Sequence, residues 1–191
     1  MSTLKNLCVF MGSSEGNHPD YVAQAKELGM HLAEKNIELI YGGGNVGIMG
    51  ELSRSVLSNG GKVTGVIPKK IYDMVEHVDL THLHIVEHMH ERKAKMYELA
   101  DGFIALPGGI GTLEEVAEVM TWFQIGYHSK PIGLFNVQQF YTPLLHLLEH
   151  MIKEGFLKKE FLQNVIIEDN FVTLLQKMND LQTTFVDKWS N

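Results

Sequence analysis

The sequence predicts an α/β protein of Rossmann-like type, a single domain in which one parallel sheet carries helices on both faces. Three observations lead there. Short apolar runs alternate with longer amphipathic segments from end to end, the pattern that strand–helix–strand crossovers leave in a parallel sheet. Two of those runs pass straight into glycine loops that open helices, at Gly42–Gly50 and Pro107–Gly111. The 191 residues suffice for one real core, and no repeat, low-complexity segment or linker divides them. Residues 1–182 therefore read as one domain, and residues 183–191 as a C-terminal tail without a clear period that is expected to fray.

Leu4–Met11 reads as a buried first strand, and the polar loop Gly12-Ser13-Ser14-Glu15-Gly16-Asn17 leaves its end. Pro19 suits the first turn of a helix; Tyr21, Ala25, Leu28 and Leu32 then share one stripe, with Asn36 as the stop. Ile37–Tyr41 is a second strand, followed by the glycine loop and a helix carrying Leu52, Val56 and Leu57. Lys62–Ile67 is a third strand, running into Pro68-Lys69-Lys70. Residues Ile71 to His82 are weakly periodic and read as loop with room for a short helix, and Leu83–Val86 as a short strand. A helix then starts at His88-Met89-His90-Glu91-Arg92-Lys93, with Met89, Met96, Leu99 and Ala100 expected on its buried side. Phe103–Leu106 is the strand that feeds the Pro107 loop. The helix behind that loop carries Val116, Ala117, Val119, Met120, Trp122, Phe123 and Ile125, more than one stripe needs. With one side on the sheet, its other side is expected to meet a second copy, giving a homodimer built on this helix. Strand Pro131–Phe135, an amphipathic segment with Leu144, Leu145, Leu148, Met151 and Ile152, the β-branched Val165–Ile167, and a helix with Phe171, Leu174, Leu175, Met178 and Leu181 complete the alternation.

Composition narrows the partners. Asp and Glu number 23 against 16 Lys and Arg, a formal charge of −7. Without a lysine- or arginine-rich block, long nucleic acid is disfavoured, while a single nucleotide is not. No apolar run approaches membrane-spanning length and the N-terminus lacks a basic region with a cleavage signature, so the chain is expected to be soluble and cytoplasmic, without a membrane partner. The one cysteine, Cys8, sits in the first apolar run, which rules out an intrachain disulfide and suits a reducing compartment. Five of the ten histidines fall between His77 and His90. No carboxylate recurs at helical ligand spacing around them, so no metal site is expected.

Three loops, Gly12–Asn17, Gly42–Gly47 and Pro107–Gly111, leave carboxyl ends of strands, where a parallel sheet opens its ligand crevice. They can converge although they are far apart in sequence. Gly42, Gly44 and Gly47 satisfy G-x-G-x-x-G, but the acidic residue expected about 20 positions on, at the next strand end, is missing; Pro68-Lys69-Lys70 stands there. A nicotinamide oxidoreductase is thus a minority reading. The stretch Pro107-Gly108-Gly109-Ile110-Gly111-Thr112-Leu113-Glu114-Glu115 says more. Its glycines let the backbone approach a ligand, and the free N–H groups and dipole of the new helix attract an anion, phosphate first of all. Thr112 and Glu115 also have the S/T-x-x-E spacing of a capping box, so on this pattern alone Glu115 is a helix cap at least as readily as a catalyst. With a phosphate at Gly109, Gly111 and Thr112, Glu115 would reach the sugar, and Arg92 or Lys93 could enter from the neighbouring helix start. A carboxylate and a cation beside an anomeric carbon suit glycosidic-bond cleavage. On spacing alone Arg92 and Lys93 read better as a solvated helix face.

Taken together, Gly42-Gly43-Gly44 with Gly47 and Met49-Gly50, then Met89-His90-Glu91-Arg92-Lys93, then Pro107 to Glu115, resemble the Lonely Guy family of cytokinin riboside 5'-monophosphate phosphoribohydrolases, formerly mislabelled lysine decarboxylases. The resemblance runs from the first strand to about Asn136 and more weakly to the end. It implies a dimeric, Rossmann-like nucleotide-binding domain that hydrolyses N6-substituted adenosine 5'-monophosphates to free base and ribose 5-phosphate, with no redox cofactor or metal. Carried over position by position, Arg92 and Glu115 would be the catalytic pair. Ser13, Gly43, Gly44, Met89, Lys93, Gly108, Gly109, Ile110, Gly111, Thr112, Leu113, Glu114 and Thr121 would bind substrate. Plant-type members tend to carry an acidic residue shortly after the Ile-Pro that ends the third strand, where this chain has Lys69-Lys70. Plain AMP or another purine nucleotide therefore stays open beside the N6-substituted substrate. No lysine stands in a recognisable pyridoxal phosphate context. The alternative is a non-catalytic nucleotide or cofactor carrier on the same fold, with Glu115 serving only as a cap.

Overall fold

Period-two alternation decides which way each strand residue points, and crossover helices then cover both faces. The computed structural model describes residues 4–75 and 79–181. Its strands are β1 (Asn6–Phe10), β2 (Glu38–Tyr41), β3 (Val63–Pro68), β4 (His82–Val86), β5 (Gly102–Ala105), β6 (Ile132–Phe135) and β7 (Val165–Glu168). They form one 7-stranded sheet in the order β4-β3-β2-β1-β5-β6-β7, and all the pairs are parallel. The helices are α1 (Pro19–Glu34), α2 (Gly47–Ser58), α3 (Lys69–Tyr72), α4 (Met89–Leu99), α5 (Ile110–Gln124), α6 (Thr142–Lys153), α7 (Lys159–Leu162) and α8 (Phe171–Asp180). The expected parallel α/β sheet with helices on both faces is what forms; the tail expected at 183–191 lies outside the described residues, as does His77.

Each face has its own core. Leu7 and Val9 of β1 pack with Leu28 and Leu32 of α1, Leu52 and Val56 of α2, and Leu174 and Met178 of α8. Cys8 and Phe10, one residue out of phase, pack with Met96 and Tyr97 of α4 and Val116, Val119 and Phe123 of α5. Local chemistry sets the helix ends. The His18 ring accepts a bond from the Asp20 amide at 3.3 Å just before Pro19, and Asn36, at φ 53°, turns the chain out of α1. The Asn170 side chain accepts from the Thr173 amide at 3.0 Å and starts α8.

Several elements differ from expectation. β4 begins at His82 rather than Leu83, and as an edge strand it buries only Val86. The short helix allowed for in the 71–82 stretch starts two residues earlier, at Lys69, and ends at Tyr72. On α4 the buried side chains are Lys93, Met96 and Tyr97, whereas Met89 is 43% exposed and Leu99 only half-buried. On α5, Ala117 is exposed and Ile125 and Trp122 half-buried, so its fully covered stripe is narrower than the apolar count suggested.

The strand order places the site. β1 is flanked by β2 and β5, α1 leaves β1 toward one face of the sheet, and α5 leaves β5 toward the other. A crevice opens where such paths diverge, at the carboxyl ends of β1 and β5. The two loops are laced together: the Gly12 amide donates to the Pro107 carbonyl at 3.1 Å, and a Cβ on Gly108 would lie 2.8 Å from the Gly12 nitrogen.

Gly47 opens α2 at φ +55°, and a Cβ there would sit 2.4 Å from the Ser13 carbonyl carbon. Gly60, at φ +78°, has open space around it. Gly60→Ala is expected to cost about 1 kcal/mol, the strain of a left-handed alanine, and Gly47→Ala about 3 kcal/mol or more because the β1 loop must also move. Urea unfolding of both variants measures the difference; equal costs would mean the loop contact is unimportant.

Candidate active site

At the carboxyl ends lies a cleft of about 430 Å³ lined by Met11, Gly12, Ser13, Met49, Met89, Arg92, Lys93, Gly109, Ile110, Gly111, Thr112, Glu114 and Glu115. The converging loops after β1 and β5 thus meet the first turns of α4 and α5.

Helix α5 starts one residue after Gly109, whose extended backbone makes it the N-cap, and among the described residues no side-chain hydrogen bond caps its first turn. Those N–H groups and the positive end of the helix dipole are open to the cleft. Gly109 and Gly111 have nothing within 4 Å of where a Cβ would be, so the protein's own packing does not require glycine at either place. Gly108 is different: its Cβ would collide with the Thr112 hydroxyl at 2.2 Å. This placement corrects the capping-box reading. With Gly109 as cap, Thr112 and Glu115 are both inside the helix, and Glu115, in its second turn, caps nothing.

Glu115 meets Arg92 instead. Arg92 Nη1 donates to Glu115 Oε1 at 3.1 Å, with the side chains 15% and 11% exposed, so this is a buried pair. The Arg92 Nε donates to the Val66 carbonyl of β3 at 3.2 Å, and Nη1 also lies 3.3 Å from the Met89 sulfur. A Cβ on Gly42 would fall 2.1 Å from Arg92 Nη2. The glycine after β2 is therefore the seat of the guanidinium. Burial pushes the Glu115 carboxyl above its ordinary value of 4.5; Arg92 pulls it back and Glu114 adds to the rise.

Lys93 is buried as well, its ammonium 2.5 Å from Glu114 Oε1 and 3.1 Å from Glu118 Oε1. Burial alone would lower its pKa, but the bonds to Glu114 and Glu118 outweigh that and hold it above 10.5. The reading of Arg92 and Lys93 as a solvated helix face does not survive: α5 supplies carboxylates to both. Among the described residues no group of three His, Cys, Asp or Glu could hold a metal ion.

Of the residues singled out in the sequence, Ser13, Met89, Arg92, Lys93, Gly109, Ile110, Gly111, Thr112, Glu114 and Glu115 line the cleft. Five lie outside its lining. Gly43, at φ +76°, packs against Ile67, and Gly44 against the Met49 methyl. Gly108 holds the loops together. Leu113 is 41% exposed, and Thr121, also exposed, donates its hydroxyl to the Ala117 carbonyl at 2.7 Å. Met11, at the end of the first apolar run, lines the cleft without having been singled out, while Gly12 and Met49 had been named only as parts of the loop after β1 and of the second glycine stretch.

A family model described as "possible lysine decarboxylase" matches residues 49–178. A cytokinin riboside 5'-monophosphate phosphoribohydrolase of Arabidopsis thaliana is 43% identical over 180 residues, 94% of this chain and 84% of its own length. One from Oryza sativa subsp. japonica is 43% identical over 180 residues, 94% of this chain and 74% of its own. Among solved structures, the molybdenum cofactor binding protein of Rippkaea orientalis superposes with a TM-score of 0.68 at 24% identity, covering 92% of this chain and 98% of its own. The molybdenum cofactor carrier protein of Chlamydomonas reinhardtii gives 0.67 at 17%, covering 94% and 98%. At those identities the structural likeness speaks to the fold alone.

The buried pair has a pH signature. A carboxyl whose folded pKa is raised contributes stability that is present below its unfolded value and lost as pH rises through the folded one. Arg92→Met, which keeps the volume and removes the counter-charge, should be destabilised by about 3–5 kcal/mol at pH 8. The loss should shrink on acidification, as Glu115, whose carboxyl is held above its ordinary value of 4.5, takes up its proton. Urea unfolding across that range measures it; a pH-independent loss would mean the two charges are not coupled.

Proposed function

This chain belongs to the family of the cytokinin riboside 5'-monophosphate phosphoribohydrolases, and we propose that it hydrolyses the N-glycosidic bond of adenosine 5'-monophosphates, N6-substituted ones first, to free base and ribose 5-phosphate. One observation carries the chemistry: the buried Arg92–Glu115 pair lies in the same cleft as the uncapped start of α5. The phosphate binds at the amides of Gly109, Ile110 and Gly111, where dipole and free donors coincide. Glu115, further into the same helix, then faces the sugar. Its carboxylate takes a proton from water as the water oxygen bonds to the anomeric carbon, while the bond from that carbon to the purine breaks and its electron pair leaves with the base. The base takes up a proton, so OH goes to the sugar and H to the base. Arg92 orients the carboxylate and keeps it ionised. The raised pKa of Glu115 makes it a better base than a solvent-exposed carboxylate. Met11, Met49 and Met89 supply an apolar, adaptable wall for a purine or an apolar N6 group.

The decarboxylase description of the family model names a different chemistry. A Schiff-base lysine needs a neutral amine, whereas Lys93, the lysine in the cleft, is held as a cation by two carboxylates. The carrier alternative assigned Glu115 to capping, and Gly109 has that place.

The homodimer belongs to the same proposal. Ile110, 82% exposed, and Leu113, 41% exposed, lie with Ala117 and Thr121 along the outer face of α5, and Tyr127, 77% exposed, follows its end. A second copy on this face would remove that apolar strip from water. A cytoplasmic location is also part of the proposal, supported by the single, buried Cys8.

Wild-type protein should release base from isopentenyladenosine monophosphate and, at some rate, from AMP. Glu115→Gln should stay folded and bind nucleotide but turn over about 10²–10⁴-fold more slowly; the wild-type rate should also fall on acidification with a midpoint above 4.5. Chromatographic detection of free base checks this, and undiminished turnover by Glu115→Gln would sink the assigned role. For the dimer, light scattering should give twice the chain mass for the wild type and a single chain for Leu113→Glu. A wild-type monomer at micromolar concentration would remove that part of the proposal.

A further inference from the structure

A second ladder runs beside the Arg92–Glu115 pair and has no role in the chemistry so far. Lys93 sits between Glu114, at 2.5 Å, and Glu118, at 3.1 Å. Glu118 turns its other oxygen to the Tyr97 hydroxyl, which donates at 2.5 Å. Lys93 is 7% exposed and Glu118 23%, but Glu114 is 55% exposed. The sheltered partner of the lysine is thus Glu118, and the partner that reaches into the cleft is Glu114. Tyr97, one turn after Lys93 on α4, is itself buried between Phe10, Phe103 and Trp122, so its hydroxyl is a fixed anchor. Glu118 lies one helical turn from Glu115, where side chains are close neighbours.

We propose that Glu118, anchored by Tyr97, is a positioning residue: it draws part of the Lys93 charge away from Glu114 and the cleft, and so sets the field in which the Arg92–Glu115 pair works. The assignment rests on the hydrolase reading for its consequence in catalysis, but the charge arrangement itself can be measured without turnover. Glu115 faces Arg92 and Lys93 from α4 and Glu114 from its own helix, with Tyr97 of α4 and Cys8 of β1 also within reach of its charge, while Glu118 acts on Lys93 and Tyr97. Of these, Glu118 is a carboxylate that can be neutralised without touching the cleft lining. Removing its negative charge leaves the Lys93 cation less compensated, which favours the ionised form of Glu115 and makes it a weaker base.

The test is a carbon-13 NMR titration of the Glu115 carboxyl in the whole protein, assigned by its loss in Glu115→Gln, for wild type, Glu118→Gln and Tyr97→Phe. Glu118→Gln keeps the shape and should move the Glu115 midpoint down by on the order of one pH unit. Tyr97→Phe keeps Glu118 charged and should move it by no more than about a third of that. In the base-release assay, the kcat of Glu118→Gln should fall about three- to tenfold, with the acid limb displaced in the same direction. An unmoved midpoint in Glu118→Gln, or a larger move in Tyr97→Phe than in Glu118→Gln, overturns the proposal. Absence of base release by the wild type would instead sink the hydrolase reading, and it leaves the titration result to decide the charge arrangement on its own.

Discussion

The Arg92–Glu115 ion pair is the interaction around which the carboxyl end of the sheet is arranged. Taking both charges out of water costs several kcal/mol per ion, and their attraction offsets this only when geometry and further hydrogen bonds are good. The chain supplies both. The Val66 carbonyl takes the Arg92 Nε, so β3 fixes the guanidinium plane. Gly42 has no Cβ because the guanidinium already fills that space. α5 must begin at the right height to bring Glu115 to Arg92, and the lacing of Gly12, Pro107 and Gly108 sets that height. Two glycine-rich stretches far apart in sequence thus serve one pair of charges.

Charge counting around the cleft separates what binds from what reacts. Arg92 and Lys93 face Glu114, Glu115 and Glu118, so the side chains together are more negative than positive. Lys93 is already engaged by two carboxylates and is a poor hook for a phosphate. In the proposed reaction, attraction for an anion therefore falls to the backbone: the uncapped amides at the start of α5 and its dipole, beside glycines that no neighbour among the described residues explains. Glu115, held in a buried setting that opposes its charge, is the group with spare basicity. Phosphate binding and proton transfer are thus assigned to different parts of one helix.

Much of the fold was legible because each strand and helix declares its period locally. β1, β2, β3, β5 and β6 read correctly from apolar runs, and α1 and α8 from stripes with their stop and start residues. The glycine turn between β5 and α5 was legible for a similar reason, since glycines between an apolar run and an amphipathic segment mark a strand–turn–helix. What failed depended on partners distant in sequence. Lys93 looked solvated because its carboxylates lie 21 and 25 residues away. The capping box at Thr112 and Glu115 failed because spacing does not say where a helix starts; the extended backbone at Gly109 does. Met89 left its expected buried side, and Tyr97, which had been given no place, lies in the core, because the start of α4 borders the cleft while its later turns face the core. Arg92 and Glu115 were weighed as a pair from the loop geometry, but only the resemblance favoured them as catalytic, and their pairing distance could not have been read from either motif.

The most direct measurement is a crystal structure of Glu115→Gln grown with adenosine 5'-monophosphate. The phosphate should hydrogen-bond to the first amides of α5, with the anomeric carbon beside residue 115 and the Arg92 guanidinium still on the Val66 carbonyl. A phosphate seated at Gly42–Gly47, with the sugar turned away from residue 115, would contradict the assignment of α5 as the phosphate site and of Glu115 as the base.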